Sequence, residues 1–322
     1  MKKLLPLLLC AALLAACTGA VCAANTADAS EPVDVTRTDC TLTVSYAAAA
    51  SCGVTLDVKL HQIALLSADI QYTLCSPYPP VELNGLTTQA EWAAVCDTLT
   101  AYISADRIEP LQTVRTDALG QAHFSGLCPG LYYVEGCTFV SGRTTYTYAP
   151  FLVTVPELQP DGTWNYDALA VPKHTETSDP MPGPEPEPKP DEKEYTVVKV
   201  WKTASGASHA ERVEIELYRD GTLAQTLTLS AENNWTYTWT DDTDAVWLAV
   251  ERNVPDGCTV SVSGERVITI VNSVNDEAPT PVTPDLPYTG DTQTILPYVL
   301  LLAAGGIGLI VLALLGLKKK HE

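Results

Sequence analysis

Lys199, Glu251 and Asn272 are the residues of this chain whose types and setting could do chemistry. Each is a polar side chain inside an apolar, strand-like run: Lys199 in Tyr195-Thr-Val-Val-Lys-Val-Trp201, Glu251 in Trp247-Leu-Ala-Val-Glu251, Asn272 in Ile268-Thr-Ile-Val-Asn-Ser273. Side chains alternate faces along a strand, so Ile268 and Ile270 facing a core put Asn272 there too, and Trp247 and Ala249 do the same for Glu251. Three isolated polar groups in a core are costly. A reaction among them removes that cost. Burial lowers a lysine pKa, which leaves a neutral nucleophilic amine, and raises that of a glutamic acid, which keeps it protonated. The acid donates to the Asn272 carbonyl, the Lys199 amine attacks its carbon, and ammonia leaves, so that an isopeptide bond joins the two side chains. The fold supplies the proximity such a step needs. The competing reading is three solvated side chains at strand ends.

The elements that must position these residues read as short strands. Val213-Glu-Ile-Glu-Leu217 alternates and ends in the hairpin signal Arg219-Asp220-Gly221. Trp235 to Trp239, Val246 to Glu251 and Arg266 to Asn272 continue the series, and no helical period appears, so residues 194–274 are expected to form a β-sandwich of about seven strands. Residues 37–173 read similarly, with one helix: Thr88-Gln-Ala-Glu91 is a capping box, and Trp92, Cys96, Leu99 and Ile103 follow at helical spacing. That helix is expected to pack on its own sandwich as a crossover. In the strand Val54 to Leu60 the even residues face the core, while Asp57, Lys59 and His61 face water. A proline-rich linker at 174–193, of polyproline character, separates the two regions, and a second proline-rich spacer covers 275–285. The fold class is all-β: two immunoglobulin-like sandwiches, the first with an inserted helix.

Both ends carry processing signals. Lys2 and Lys3 precede an apolar run too short to span a bilayer, and Val21-Cys22-Ala23 fits a cleavage site, so residues 1–23 read as a signal peptide. Leu14-Ala15-Ala16-Cys17 also fits a lipoprotein box, which leaves lipidation at Cys17 open. At the other end, residues 295–317 are apolar, uncharged and long enough to span, and Lys318 to Lys320 follow. Directly upstream lies Leu286-Pro287-Tyr288-Thr289-Gly290. Sorting motif, span and basic tail, in that order over 286–322, resemble the cell-wall sorting signals of Gram-positive surface proteins. The resemblance implies that a sortase cleaves after Thr289 and passes its acyl group to an amine, on a peptidoglycan precursor or on a neighbouring subunit.

Trimming at both points takes the net charge from -20 to -23, which argues against nucleic acid or anionic lipid as a partner. Of ten cysteines, seven survive signal removal, six of them in the first region; an exported chain could pair them or keep them as thiols. No hydrolase elbow, phosphate loop, zinc pair or dinucleotide fingerprint occurs, so no cofactor, no metal and no enzymatic turnover are expected.

Residues 194–274 resemble the Cna B-type, isopeptide-forming domains of Gram-positive surface proteins and pilins. The resemblance rests on Val198-Lys199-Val200-Trp201, Leu217 to Gly221, Leu229 to Trp235 and Ile268 to Ser273. It implies that Lys199 and Asn272 join and that Glu251 catalyses the step. The E-box spacing runs from Trp247 to Cys258 and keeps Glu251, Pro255 and Gly257. Trp247, Ala249, Arg252, Val254 and Cys258 depart from the family pattern. The first region resembles pilus-subunit domains at Pro150 to Pro156 and at the turn Thr116 to Gly120; its Glu135 looks like a partial E-box without the Pro-x-Gly, and no second isopeptide bond is expected there. Trp164 to Lys173 has the spacing of the pilin motif W-x-x-x-V-x-V-Y-P-K, with Ala168, Ala170 and Val171 in place of Val, Val and Tyr. That resemblance implies that Lys173 accepts Thr289 of a neighbouring subunit. The expected protein is a pilus subunit, shaft or basal, on the cell surface; the alternative is a monomeric wall-anchored adhesin for a host protein or glycan.

Overall fold

Alternating apolar and polar residues build about half of the described residues into β-strands, and the computed structural model describes residues 31–178, 192–202, 210–241 and 245–274. The expected signal peptide (1–23), spacer (275–285), sorting motif (286–290) and span (295–317) lie outside the described residues. Among those described, no helix is long and apolar enough to cross a membrane.

The first region is layered. Cys40–Ser45 pairs antiparallel with Gln121–Leu127 and parallel with Asp167–Ala170. A second sheet orders Tyr72–Leu74, Asp57–Leu66, Gly130–Val134 and Phe151–Val155, with Gln112–Arg115 added beside the middle strand. This sheet is buried on both faces. Leu60, Tyr132, Val134 and Val153 join the core against the first sheet, while Ile63, Leu131, Tyr133 and Leu152 face the helix Gln89–Asp106.

Burial on both sides corrects one expectation. His61 is fully buried, not wet, because the face it shares with Asp57 and Lys59 is roofed at its own position. Its Nε2 lies 2.8 Å from Glu135, and Tyr78 and Tyr133 stand edge-on to its ring. Residues 174–178, expected to open the proline-rich linker, are ordered instead. His174–Ser178 is a strand that pairs antiparallel with Thr144–Tyr148, its alternating threonines being better suited to a sheet than to polyproline.

The helix begins at the expected capping box, with the Glu91 amide donating to Thr88 Oγ1 at 3.2 Å and the Thr88 amide donating to Glu91 at 2.9 Å. Trp92, Cys96, Leu99 and Ile103 pack into the first region. Its other face is equally apolar: Ala101 and Tyr102 are buried in the core of the second region. A helix with two apolar faces belongs between two layers, so it is no simple crossover on its own sandwich.

Among the described residues the second region has seven strands in two sheets. Thr236–Asp241, Lys193–Lys202, Val267–Val274 and Cys258–Ser263 form one; Thr222–Ser230, Arg212–Arg219 and Trp247–Arg252 form the other. Lys193–Lys202 and Val267–Val274, first and last in sequence, run side by side and parallel. The hairpin turn at Asp220 and Gly221 has φ of 50° and 74°, the left-handed conformation that such two-residue turns demand. All seven described cysteines are free thiols, with Cys40 and Cys96 buried.

Candidate functional site

Parallel pairing of the first and last strands sets Lys199 opposite Ile270 and Trp201 opposite Asn272, so Lys199 and Asn272 stand two residues apart on the inward face of one sheet. Val197 and Ile268 flank them, both buried. Glu251 arrives from the facing sheet, opposite Ile215 on the neighbouring strand. Period-2 alternation therefore aims three polar side chains from two sheets into one apolar core.

The three meet there with no route to water. The side chains of Lys199 and Glu251 are 0% exposed, with Nζ 3.7 Å from Oε2, and Asn272 Nδ2 donates to Glu251 Oε1 at 2.7 Å. Lys199 Nζ also donates to the Val200 carbonyl at 3.1 Å and sits 3.9 Å from the Trp201 ring centroid. Glu251 Oε2 and Asn272 Oδ1 have no hydrogen-bond partner. An unsatisfied buried polar atom costs about 1–3 kcal/mol, so this cluster is under tension as it stands.

Electrostatics push both ionisable groups toward neutrality. Burial lowers the Lys199 pKa to about 8, against the pull of Glu251 in the other direction. Burial likewise raises Glu251, while Lys199 and Asn272 partly restrain it. A shared proton can thus sit on the acid and leave an amine, which is the protonation state a nucleophilic attack requires.

The sequence reading missed two of the residues around this trio. Tyr102, from the helix Gln89–Asp106, donates its hydroxyl to the Glu251 carbonyl at 2.6 Å. Trp201 lies against the lysine amine. The four-residue spacing of Thr98, Tyr102 and Asp106 was the available signal for the first, since it marks a second helix face. Elsewhere, Glu135 bonds to Lys59 at 3.1 Å and to His61, and this partly exposed ion pair resembles nothing in the buried trio. Lys173 is exposed and stands between the strands Asp167–Ala170 and His174–Ser178. Ala168 and Ala170 of its motif are buried in the first core, while Val171 is 54% exposed. Among the described residues no cluster of His, Cys, Asp and Glu could hold a metal ion.

Residues 195–273, which contain the whole trio, match the family model of the Cna protein B-type domain. Solved structures that superpose include a single B repeat unit of the collagen-binding surface protein Cna of Staphylococcus aureus, at 14% identity over 73% of this chain and 97% of that one, with a TM-score of 0.24. The full-length major pilin SpaD of Corynebacterium diphtheriae gives 18% identity, 75% and 65% coverage and a TM-score of 0.27. The pilus backbone of Streptococcus pneumoniae gives 15%, 72% and 79%, and 0.23. Superpositions of that quality carry no weight for function or assembly. No curated protein matches the chain. On the family match, residues 195–273 of this chain are a Cna B-type domain.

Proposed function

We propose that this chain is a sortase-anchored structural protein of a Gram-positive cell surface, a pilus subunit whose Cna B-type domain is locked by an isopeptide bond between Lys199 and Asn272. The observation that carries the reading is the burial of Lys199, Glu251 and Asn272 in one core. In the proposed step, protonation gives Glu251 a donor, and the unpartnered Asn272 Oδ1 is the acceptor at hand. The polarised carbonyl carbon takes the Lys199 amine; the Nζ–Cγ bond forms, the Cγ–Nδ2 bond breaks, and one ammonia departs with a proton from the amine. Glu251 is recovered, and no external substrate turns over.

Mechanical display accounts for the layout. Sandwiches spanning 37–173 and 194–274, a signal peptide over 1–23, and a 286–322 sorting signal cut at Thr289 make an exported and anchored surface protein. Lys199 and Asn272 lie on the first and last strands of the domain, so a bond between them carries tension past everything between. Lys173 accepts Thr289 of the next subunit, and a sortase makes the joint. The peptidoglycan precursor receives the terminal one.

Tandem mass spectrometry of a tryptic digest tests the bond: a branched peptide joining the Lys199 and Asn272 segments, one ammonia lighter than their sum, is expected. Two unlinked peptides at full mass would refute it. The rate also has a signed pH dependence. The reactive pair holds one proton, whether written as ammonium and carboxylate or as amine and acid. Raising the pH through the lysine's value of about 8 removes that proton and with it the acid, so bond formation slows above about pH 8. Below the raised pKa of Glu251 a second proton protonates the amine, which slows it again. A rate that kept climbing into alkali would mean that the amine acts without the acid.

A further inference from the structure

The second sandwich leaves one side open, and a helix from the first region closes it. Trp247–Arg252 is an outer strand of one sheet and Cys258–Ser263 an outer strand of the other. Outer strands present unpaired amides and carbonyls, which must be covered if they are buried. The helix Gln89–Asp106 covers both with a single face. Thr98 Oγ1 accepts from the Val262 amide at 2.7 Å, Tyr102 donates to the Glu251 carbonyl at 2.6 Å, and Asp106 binds Arg252 at 2.7 Å. Between these contacts Ala101, 1% exposed, and Tyr102, 6% exposed, complete the apolar core around the trio. Ahead of the helix, the Pro80 carbonyl accepts from the amide of Val260, which stands opposite Asn272.

We propose that Tyr102 is a positioning residue for the Lys199–Asn272 reaction, and that the helix Gln89–Asp106 makes bond formation in the second region depend on a folded first region. The inference rests on the function proposed above. Its geometry is direct. The Glu251 side chain must reach Asn272 from the facing sheet, and its backbone sits on an outer strand with no neighbour on the far side. Tyr102 supplies the missing anchor at that residue. Arg252, the next residue, departs from the Cna B-type pattern and instead reaches Asp106 on the helix and Glu216 on the adjacent strand, both at 2.7 Å. Glu251 is thus clamped at its own carbonyl and at its neighbour's side chain. The consequence is an order of events: the first region folds, the helix seats, and only then does the acid stand where the chemistry needs it.

The test follows ammonia loss by intact-mass spectrometry while full chain recovered unreacted from inclusion bodies, its starting mass equal to that of the sequence, refolds from denaturant. Tyr102→Phe keeps the ring and removes the hydroxyl; bond formation is expected to slow by about tenfold, as loosening the catalytic acid would cause. Thr98→Val removes a helix-to-strand hydrogen bond away from Glu251 and should leave the rate within about twofold of wild type, although the melting temperature of the unreacted fold falls in both variants. Wild-type speed in Tyr102→Phe overturns the proposal. Equal slowing in the two variants also overturns it, since the helix would then act only as a structural cover. A wild-type chain that never loses ammonia defeats the isopeptide bond itself, and that result is separable from the other two.

Discussion

Glu251→Ala is expected to leave the chain with its ammonia retained, and to lower the melting temperature of the Cna B-type domain by on the order of 20 °C. The acid is the one group within reach of both partners, 3.7 Å from Lys199 Nζ and 2.7 Å from Asn272 Nδ2. Without it the lysine has no buried proton acceptor and the amide no acid to polarise it. The thermal effect follows from chain entropy. A crosslink closing the roughly 70 residues between Lys199 and Asn272 restricts the unfolded chain by about 4 kcal/mol, as a disulfide of that span would. Asn272→Ala removes the acceptor and should match Glu251→Ala in mass behaviour while keeping the acid. Intact mass and calorimetry on the two variants read both effects. A Glu251→Ala chain that still sheds ammonia would remove the acid from the mechanism, and equal melting temperatures in all three proteins would mean that wild type carries no bond.

Much of this arrangement was legible in local pattern. Ile268, Ile270 and Asn272 share a face because strands alternate, and that alternation needs no tertiary information. The capping box at Thr88 and Glu91 was readable for the same reason, since both partners lie within one turn. What escaped is what depends on other layers. His61 reads as wet beside Asp57 and Lys59, yet a roof of aromatic rings buries it. The helix shows its first apolar face plainly in Trp92, Cys96, Leu99 and Ile103. Its second face is made of alanines, a threonine and Tyr102, which look like ordinary helix surface until a second core is set against them. His174–Ser178 looks like the beginning of a linker because strand pairing with Thr144–Tyr148 is a distant contact.

Lys173→Ala is expected to collapse a ladder of covalent multimers into one band when boiled, denatured wall extracts are immunoblotted. Each rung of such a ladder needs one acyl donor, Thr289, and one amine per subunit. The case for Lys173 combines motif spacing with position. Its side chain is exposed, while the backbone on either side is held in strands, Asp167–Ala170 against Cys40–Ser45 and His174–Ser178 against Thr144–Tyr148. A lysine there stands at the surface, and a pull on it loads paired strands in two sheets. Ala168 and Ala170 replace the valines of the motif at positions buried in the first core, so those departures alter packing and leave the lysine's access alone. Circular dichroism and the melting temperature of the mutant read any change of fold separately from loss of the joint. A ladder that survives in the mutant would move the joint to another lysine. A single band in both strains would remove the shaft-subunit reading and leave a monomeric anchored adhesin, or a basal subunit used once per fibre.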